Sequence, residues 1–159
     1  MKLSRYFSLD ELTYSVTAAK LGIDNTPHGD ELVNLGKLCT DVLDKIRCTL
    51  GVPVLVSSGY RCGKLNDIKH GSATSQHCFG EAADIYVTGK LKNRDLFNCI
   101  IDLIKAGEIR CGQVIWEYGN DDNPDWVHVS LPYRKTNQIL RACRKNGEII
   151  YKDISYILD

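Results

Sequence analysis

The chain has 159 residues, the size of one domain. Twenty Lys and Arg balance twenty Asp and Glu, so the basic excess of a general nucleic-acid binder is missing. Hydrophobic residues make up 43% and charged residues 25%, a globular balance, and no apolar run approaches the ~18 residues of a membrane span.

Residues 1–11 carry Lys2 and Arg5 but no apolar segment and no small-residue cleavage site, so they do not read as a signal peptide. Ser8-Leu9-Asp10-Glu11 is a capping box and predicts a short helix. A second short helix is expected after Ser15, ending at Gly22, and Asp24–Gly29 has loop composition. Over Asp30–Leu50, Leu32, Leu35, Leu38, Val42, Leu43 and Ile46 recur at helical spacing, and Gly51 caps the end. Val54–Val56 predicts a buried strand. Ser57–Gly80 is rich in Gly, Ser, Asn and His, with one helical turn near Leu65–Ile68; irregular stretches of this length are usually functional. Then follow a strand at Ala82–Val87, a helix at Asn93–Ala106 with Leu96, Ile100, Leu103 and Ile104 inward, and strands at Val114–Tyr118 and Trp126–Leu131. Ile139–Cys143 and Glu148–Tyr151 flank Asn146-Gly147, a tight hairpin signal. The pattern predicts an α+β domain, a small and mostly antiparallel sheet with two main helices.

The seven cysteines, Cys39, Cys48, Cys62, Cys78, Cys99, Cys111 and Cys143, are odd in number and form no Cys-x-x-Cys pair. Reduced thiols in a cytosolic compartment are expected, several of them in apolar stretches, such as Cys99 beside Ile100 and Ile101, packing as small hydrophobes. No pattern around any of them marks an activated nucleophile. A thiol hydrolase built on Cys78 beside His77 would survive zinc chelation.

The chemistry concentrates in two segments. Ser75-Gln76-His77-Cys78-Phe79-Gly80-Glu81-Ala82-Ala83-Asp84 and Asp125-Trp126-Val127-His128 together offer two imidazoles and a carboxylate, with a spare carboxylate. Strand alternation puts Ala83, Ile85 and Val87 on one face and Asp84 with Ala82 on the other; likewise Val127, Val129 and Leu131 oppose His128, Trp126 and Ser130. If the two strands are neighbours, Asp84 and His128 reach one point, with His77 entering from the loop and Gly80 allowing the turn. Two neutral imidazoles and one carboxylate suit a single Zn²⁺ and leave a fourth position for water, the catalytic rather than the structural arrangement. Asp125 is the first candidate for the proton acceptor, provided the strand begins after it; Glu117, at the end of another strand, is the second. Arg61 offers a guanidinium for a substrate carboxylate or a developing oxyanion. Singly, each of these residues is more often structural. His28, His70, Asp121 and Asp122 read as solvated, Trp126 as a packing residue, and the basic tail with Arg134, Lys135, Arg141, Arg144 and Lys145 as a solvated face.

Ser75-x-His77-x-x-Gly80-x-Ala82-x-Asp84 has every position of the signature of zinc D-Ala-D-Ala carboxypeptidases and related peptidoglycan peptidases, and the chain resembles that family over Val54–Leu131. Trp126-x-His128 resembles its second metal segment, with Asp125 where its catalytic acid falls, though many relatives carry Glu there. Ser58-Gly59-Tyr60-Arg61 and Leu65-Asn66 look like its upstream segment. The resemblance implies one zinc ion held by His77, Asp84 and His128, Asp125 as general base and acid, and Arg61 at the substrate. It implies a hedgehog/DD-peptidase-like fold with the zinc cleft on the sheet. The implied partner is the peptidoglycan stem peptide, cut as a D-Ala-D-Ala carboxypeptidase or an L,D-endopeptidase would.

Phe7–Leu12 and Gly22–Pro27 look like the leader of phage-encoded and prophage-encoded members, so a lysin held in the cytoplasm until release to the wall is expected. Residues 1–159 are expected to form a single monomeric zinc peptidase domain, with no separate cell-wall-binding domain, no nucleic acid and no membrane span. The alternative is a non-catalytic module in which zinc is structural and the cleft only binds cell-wall peptide or a protein.

Overall fold

A computed structural model describes residues 1–159. The first two helices are short and set by their caps. Helix α1 (Leu9–Thr13) has the full capping box, with the Ser8 hydroxyl accepting from the Glu11 amide and the Glu11 carboxylate accepting from the Ser8 amide. Helix α2 (Val16–Leu21) starts at Ser15 and stops where Gly22 turns left-handed. The helix expected over Asp30–Leu50 is one rod with an interruption. Helix α3 (Asp30–Leu38) runs through a π turn at Cys39–Leu43 into α4 (Asp44–Leu50). The wider turn lets Cys39, Val42 and Leu43 all reach the core beside Leu35, Leu38 and Ile46, while Leu32 is only partly covered.

Six strands form one sheet in the order β1-β2-β4-β3-β5-β6. These are β1 (Leu55–Ser58), β2 (Ala82–Tyr86), β3 (Gln113–Glu117), β4 (Trp126–Ser130), β5 (Gln138–Lys145) and β6 (Glu148–Asp153). All neighbours pair antiparallel except β3 with β5, which run parallel. The strand expected to be buried at Val54–Val56 is instead an edge strand that begins one residue later and is largely half-exposed. Its flank toward solvent has no partner, so only one face and one ladder cover it. Between β1 and β2 lie the short helix α5 (Gly63–Ile68) and a 3₁₀ turn at Gln76–Phe79.

One face of the sheet carries the core. Helix α6 (Asn93–Lys105) buries Leu96, Phe97, Ile100, Ile101, Leu103 and Ile104 against it. With the α3–α4 rod and Ala83, Ile85, Val114, Trp116, Val127 and Val129 from the strands, they form one apolar cluster of 27 buried residues. Each fully buried Leu or Ile there contributes ~1.5–3 kcal/mol relative to exposure. Both main helices cover this face, so the polar residues of the alternating strands point to the other. That second face is the floor of a cleft. No helix is long and apolar enough to cross a membrane.

Candidate metal centre

The register of β2 against β4 sets Asp84 directly opposite His128. Cross-strand partners on one face hold their Cβ atoms ~4.5–5.5 Å apart, close enough for the side chains to meet. His128 Nδ1 lies 3.0 Å from Asp84 Oδ1, and His77 Nε2 lies 3.4 Å from the same oxygen. One donor atom from each of the three residues falls within 4.8 Å of the other two, so the cluster could hold a metal ion. The neighbouring Ala82 and Ser130 have small side chains beside it.

His77 is carried in by the turn before β2. Gly80 ends that turn at φ 68°, with its Cα against the backbone of Glu31, where a side chain would collide. The imidazole tautomers are set by their outer partners. The Gly59 carbonyl can only accept, so His77 Nδ1 carries the hydrogen and donates to it at 2.8 Å, leaving Nε2 a bare lone pair. His128 Nε2 lies 3.1 Å from Gln76 Oε1, and a hydrogen carried there and donated to that oxygen leaves Nδ1 a bare lone pair toward Asp84. Two nitrogen lone pairs and a carboxylate oxygen therefore face one another in a buried corner. Such an arrangement is repulsive without a cation between them. Tetrahedral ligands ~2.0–2.1 Å from a zinc ion sit ~3.4 Å apart, which the observed 3.0 and 3.4 Å match.

The cleft around this corner has a volume of about 920 Å³. Glu117 lies on its floor, paired across β3 and β4 with Trp126 and one step from the Ile115–His128 pair. It is only 8% exposed. Burial pushes its carboxyl up to about 7; the nearby His128 pulls it down and the negative Asp84 pushes it further up. Asp125 is placed differently. Its amide donates to the Glu117 carbonyl and its own carbonyl accepts from Asn93, while its side chain is exposed and does not line the cleft. Strand β4 does begin directly after it, as the sequence reading required.

Arg61 lines the cleft, anchored by its amide donating to the His77 carbonyl at 3.2 Å. Its Nε is buried with no partner, and so is Nε1 of Trp126, which also lines the cleft. Trp126 packs edge to face on Tyr118 at 5.4 Å between ring centroids, as a packing residue would, and also forms part of the cleft floor. His70 borders the cleft at φ 55° but stands outside the three-donor cluster, and Ser75 caps the turn that carries His77. Burial raises the Cys78 thiol despite the nearby Arg61 charge, so it is held as a thiol and not as the thiolate a nucleophile needs. All seven cysteines are free. Asp121 and Asp122 are exposed as expected, yet engaged, with Asp121 on Arg141 and Asp122 on Lys92 and Arg94.

Sequence reasoning missed the outer partners Gln76 and Gly59. Gln76 stands between Ser75 and His77 at an unconstrained place of the motif, and the Gly59 carbonyl belongs to the backbone, so no side-chain pattern announces it.

An open three-donor corner with a buried carboxyl on the same cleft floor fits a class, the metal-dependent hydrolases. Within that class the chain belongs to the peptidase M15 family, whose family model matches residues 5–130. The chain is therefore a metallopeptidase of α+β fold. No curated protein matches it.

Proposed function

We propose that the chain is a zinc peptidase that hydrolyses a peptide bond in the stem peptide of bacterial peptidoglycan. The observation that carries this is the convergence of His77 Nε2, Asp84 Oδ1 and His128 Nδ1 with their tautomers set from outside, in a cleft that also holds a buried, proton-accepting carboxyl. Bound there, zinc would polarise the scissile carbonyl and acidify the attacking water. His77, Asp84 and His128 would hold it. Glu117, buried on the cleft floor, would take the water proton and pass it to the leaving amine. Arg61, with Nε unpaired, faces negative charge on the substrate or on the tetrahedral intermediate. Asp125 is the rival for proton transfer. Its support is its place three residues before His128, and serving would require its exposed side chain to turn into the cleft.

The phage-lysin role belongs to the same proposal and rests on the leader segments Phe7–Leu12 and Gly22–Pro27. Digestion of purified peptidoglycan with zinc-loaded protein, followed by mass spectrometry of the muropeptides, tests the reading and names the bond. New amine and carboxyl ends that vanish on chelation are the expected result. One bound zinc with no new ends near neutral pH would point to a non-catalytic binding module instead.

A further inference from the structure

The family match ends at residue 130, yet the cleft does not. Strands β5 and β6 lie beyond the match and extend its floor. Register across the sheet places Trp126, Glu117, Ala142 and Tyr151 in one row, and Asp84, His128, Ile115, Leu140 and Asp153 in the next. Arg144 pairs with Ile149 one step past Tyr151, on the same face. Ile115, Leu140 and Ala142 form a small apolar cluster of their own between the metal corner and the hairpin.

Three features of this extension look outward. Every residue of β6 is exposed, with Tyr151 at 52% although it lines the cleft. Arg144 lies over the Tyr118 ring at 5.0 Å and has no carboxylate within pairing distance, whereas Arg141 on the opposite face is tied to Asp121 at 2.7 Å. Asp153 also lines the cleft, but its pairing with Leu140 places it two steps along the strand from Arg144, and its carboxylate accepts from the Ser155 amide at 2.8 Å. At the Tyr151 end of the hairpin, the charge without a partner is therefore the Arg144 guanidinium.

Distance sets what can lie here. Strands are ~4.8 Å apart, so the three spacings from β4 to β6 cover ~14 Å; an extended peptide rises ~3.3 Å per residue, so about four residues bridge that gap. A cleft of about 920 Å³ lies near the top of the ~300–1,000 Å³ range of drug-sized sites, far more than a dipeptide fills.

We propose that the β5–β6 hairpin is a second peptide subsite, where Tyr151 packs on, and Arg144 pairs with, a carboxylate-bearing segment of an extended peptide about four residues from the metal corner. The subsite rests on the peptidase reading and sharpens it, toward a substrate gripped along its length and not a free dipeptide. Both side chains are exposed, so their truncation leaves the core intact.

The test uses the zinc-loaded full chain, with an N-acetylated stem pentapeptide and free D-Ala-D-Ala as probes. Stopped-flow tryptophan fluorescence, with Trp126 on the cleft floor as reporter, reads binding before turnover. In Arg144→Ala and Tyr151→Ala the pentapeptide Kd should rise about tenfold or more, with Arg144→Lys recovering part of the loss and dipeptide binding unmoved. Unchanged pentapeptide affinity, an equal loss for both probes, or no binding by the wild type overturns the subsite. So does a concentration-dependent dimer that these variants dissolve while peptide binding stays as it was, since the face would then belong to a second copy. Tight pentapeptide binding without hydrolysis would instead sink the peptidase reading and leave the subsite standing.

Discussion

Glu117 and Asp125 are both acidic and both adjoin the metal corner in sequence or register, but their surroundings separate them. Glu117 is buried on the cleft floor with its carboxyl pushed up to about 7, while the Asp125 side chain stands in solvent. Glu117→Gln is expected to keep zinc and lower kcat/KM by about 10²–10⁴-fold, the range of general acid–base catalysis. Asp125→Ala should keep most of its rate. The reverse outcome, measured on peptidoglycan with zinc content checked, hands the role to Asp125. His128→Ala should lose the metal itself, as read by elemental analysis. The raised Glu117 pKa also has a sign for stability in the metal-free protein. The folded state holds this proton more tightly than the unfolded chain, whose carboxyl titrates near 4.5. Its contribution is therefore complete below about pH 4.5 and is lost as pH rises through about 7, by on the order of 3 kcal/mol. Denaturation midpoints of metal-free wild type should fall relative to those of Glu117→Gln between roughly pH 5 and roughly pH 8, across that titration. Parallel curves would show that the carboxyl is not buried as described.

The segment 72–81 that delivers His77 has little regular structure, and one side chain from the far side of the cleft secures it. Arg134 donates to the Thr74 carbonyl at 2.6 Å, pairs with Glu81 at 3.3 Å and lies over the Phe79 ring at 4.7 Å. Asn66, 2% exposed, holds the start of the segment by donating to the Ser72 carbonyl. Arg134→Ala should weaken zinc binding by about 10–100-fold, the usual effect of losing an outer support of a metal ligand, without changing secondary structure. Competition with a chromogenic chelator measures the first and circular dichroism the second; an unaltered zinc affinity would mean that the segment holds its shape without the clamp. Elements with strong local signals, such as the Ser8 capping box and the Asn146-Gly147 turn, with φ 51° and 78°, lie where the sequence puts them. The π turn at Cys39–Leu43 and the edge position of β1 carry no such signal. Both follow from how the rod and the strand meet partners distant in the chain.

The molecule divides its work between the two faces of one sheet. Helices cover the first face over its central strands, and the second is left for polar side chains and the cleft. Core substitutions should therefore act on stability while leaving the metal corner intact. Ile100→Ala, at a fully buried site in α6, is expected to cost about 2–5 kcal/mol in denaturant unfolding with the zinc stoichiometry of the folded protein unchanged. Metal removal acts from the other face. An ion that binds only the folded chain stabilises it by ~2.7 kcal/mol at a hundredfold excess over Kd, so chelation should lower Tm and added zinc should restore it. A Tm indifferent to chelation would mean that the three donors do not hold an ion.

Period-2 alternation put Asp84 and His128 on the faces away from the apolar residues of their strands, and the local motif supplied His77 from the loop, but their meeting at one point depended on β2 and β4 becoming neighbours. The same reasoning reached Glu117 and Asp125 without ranking them, since burial is a property of the packed sheet and not of a residue's position in the chain. Partners that lie far along the chain escaped it for the same reason. The Gly59 carbonyl on His77, Gln76 on His128, Arg134 on the 72–81 segment, and the two added strands that lengthen the floor each depend on which strands become neighbours. Strand pairing joins residues tens of positions apart through backbone hydrogen bonds that every sequence can make, so the order of the sheet and the far wall of the cleft emerge only on folding.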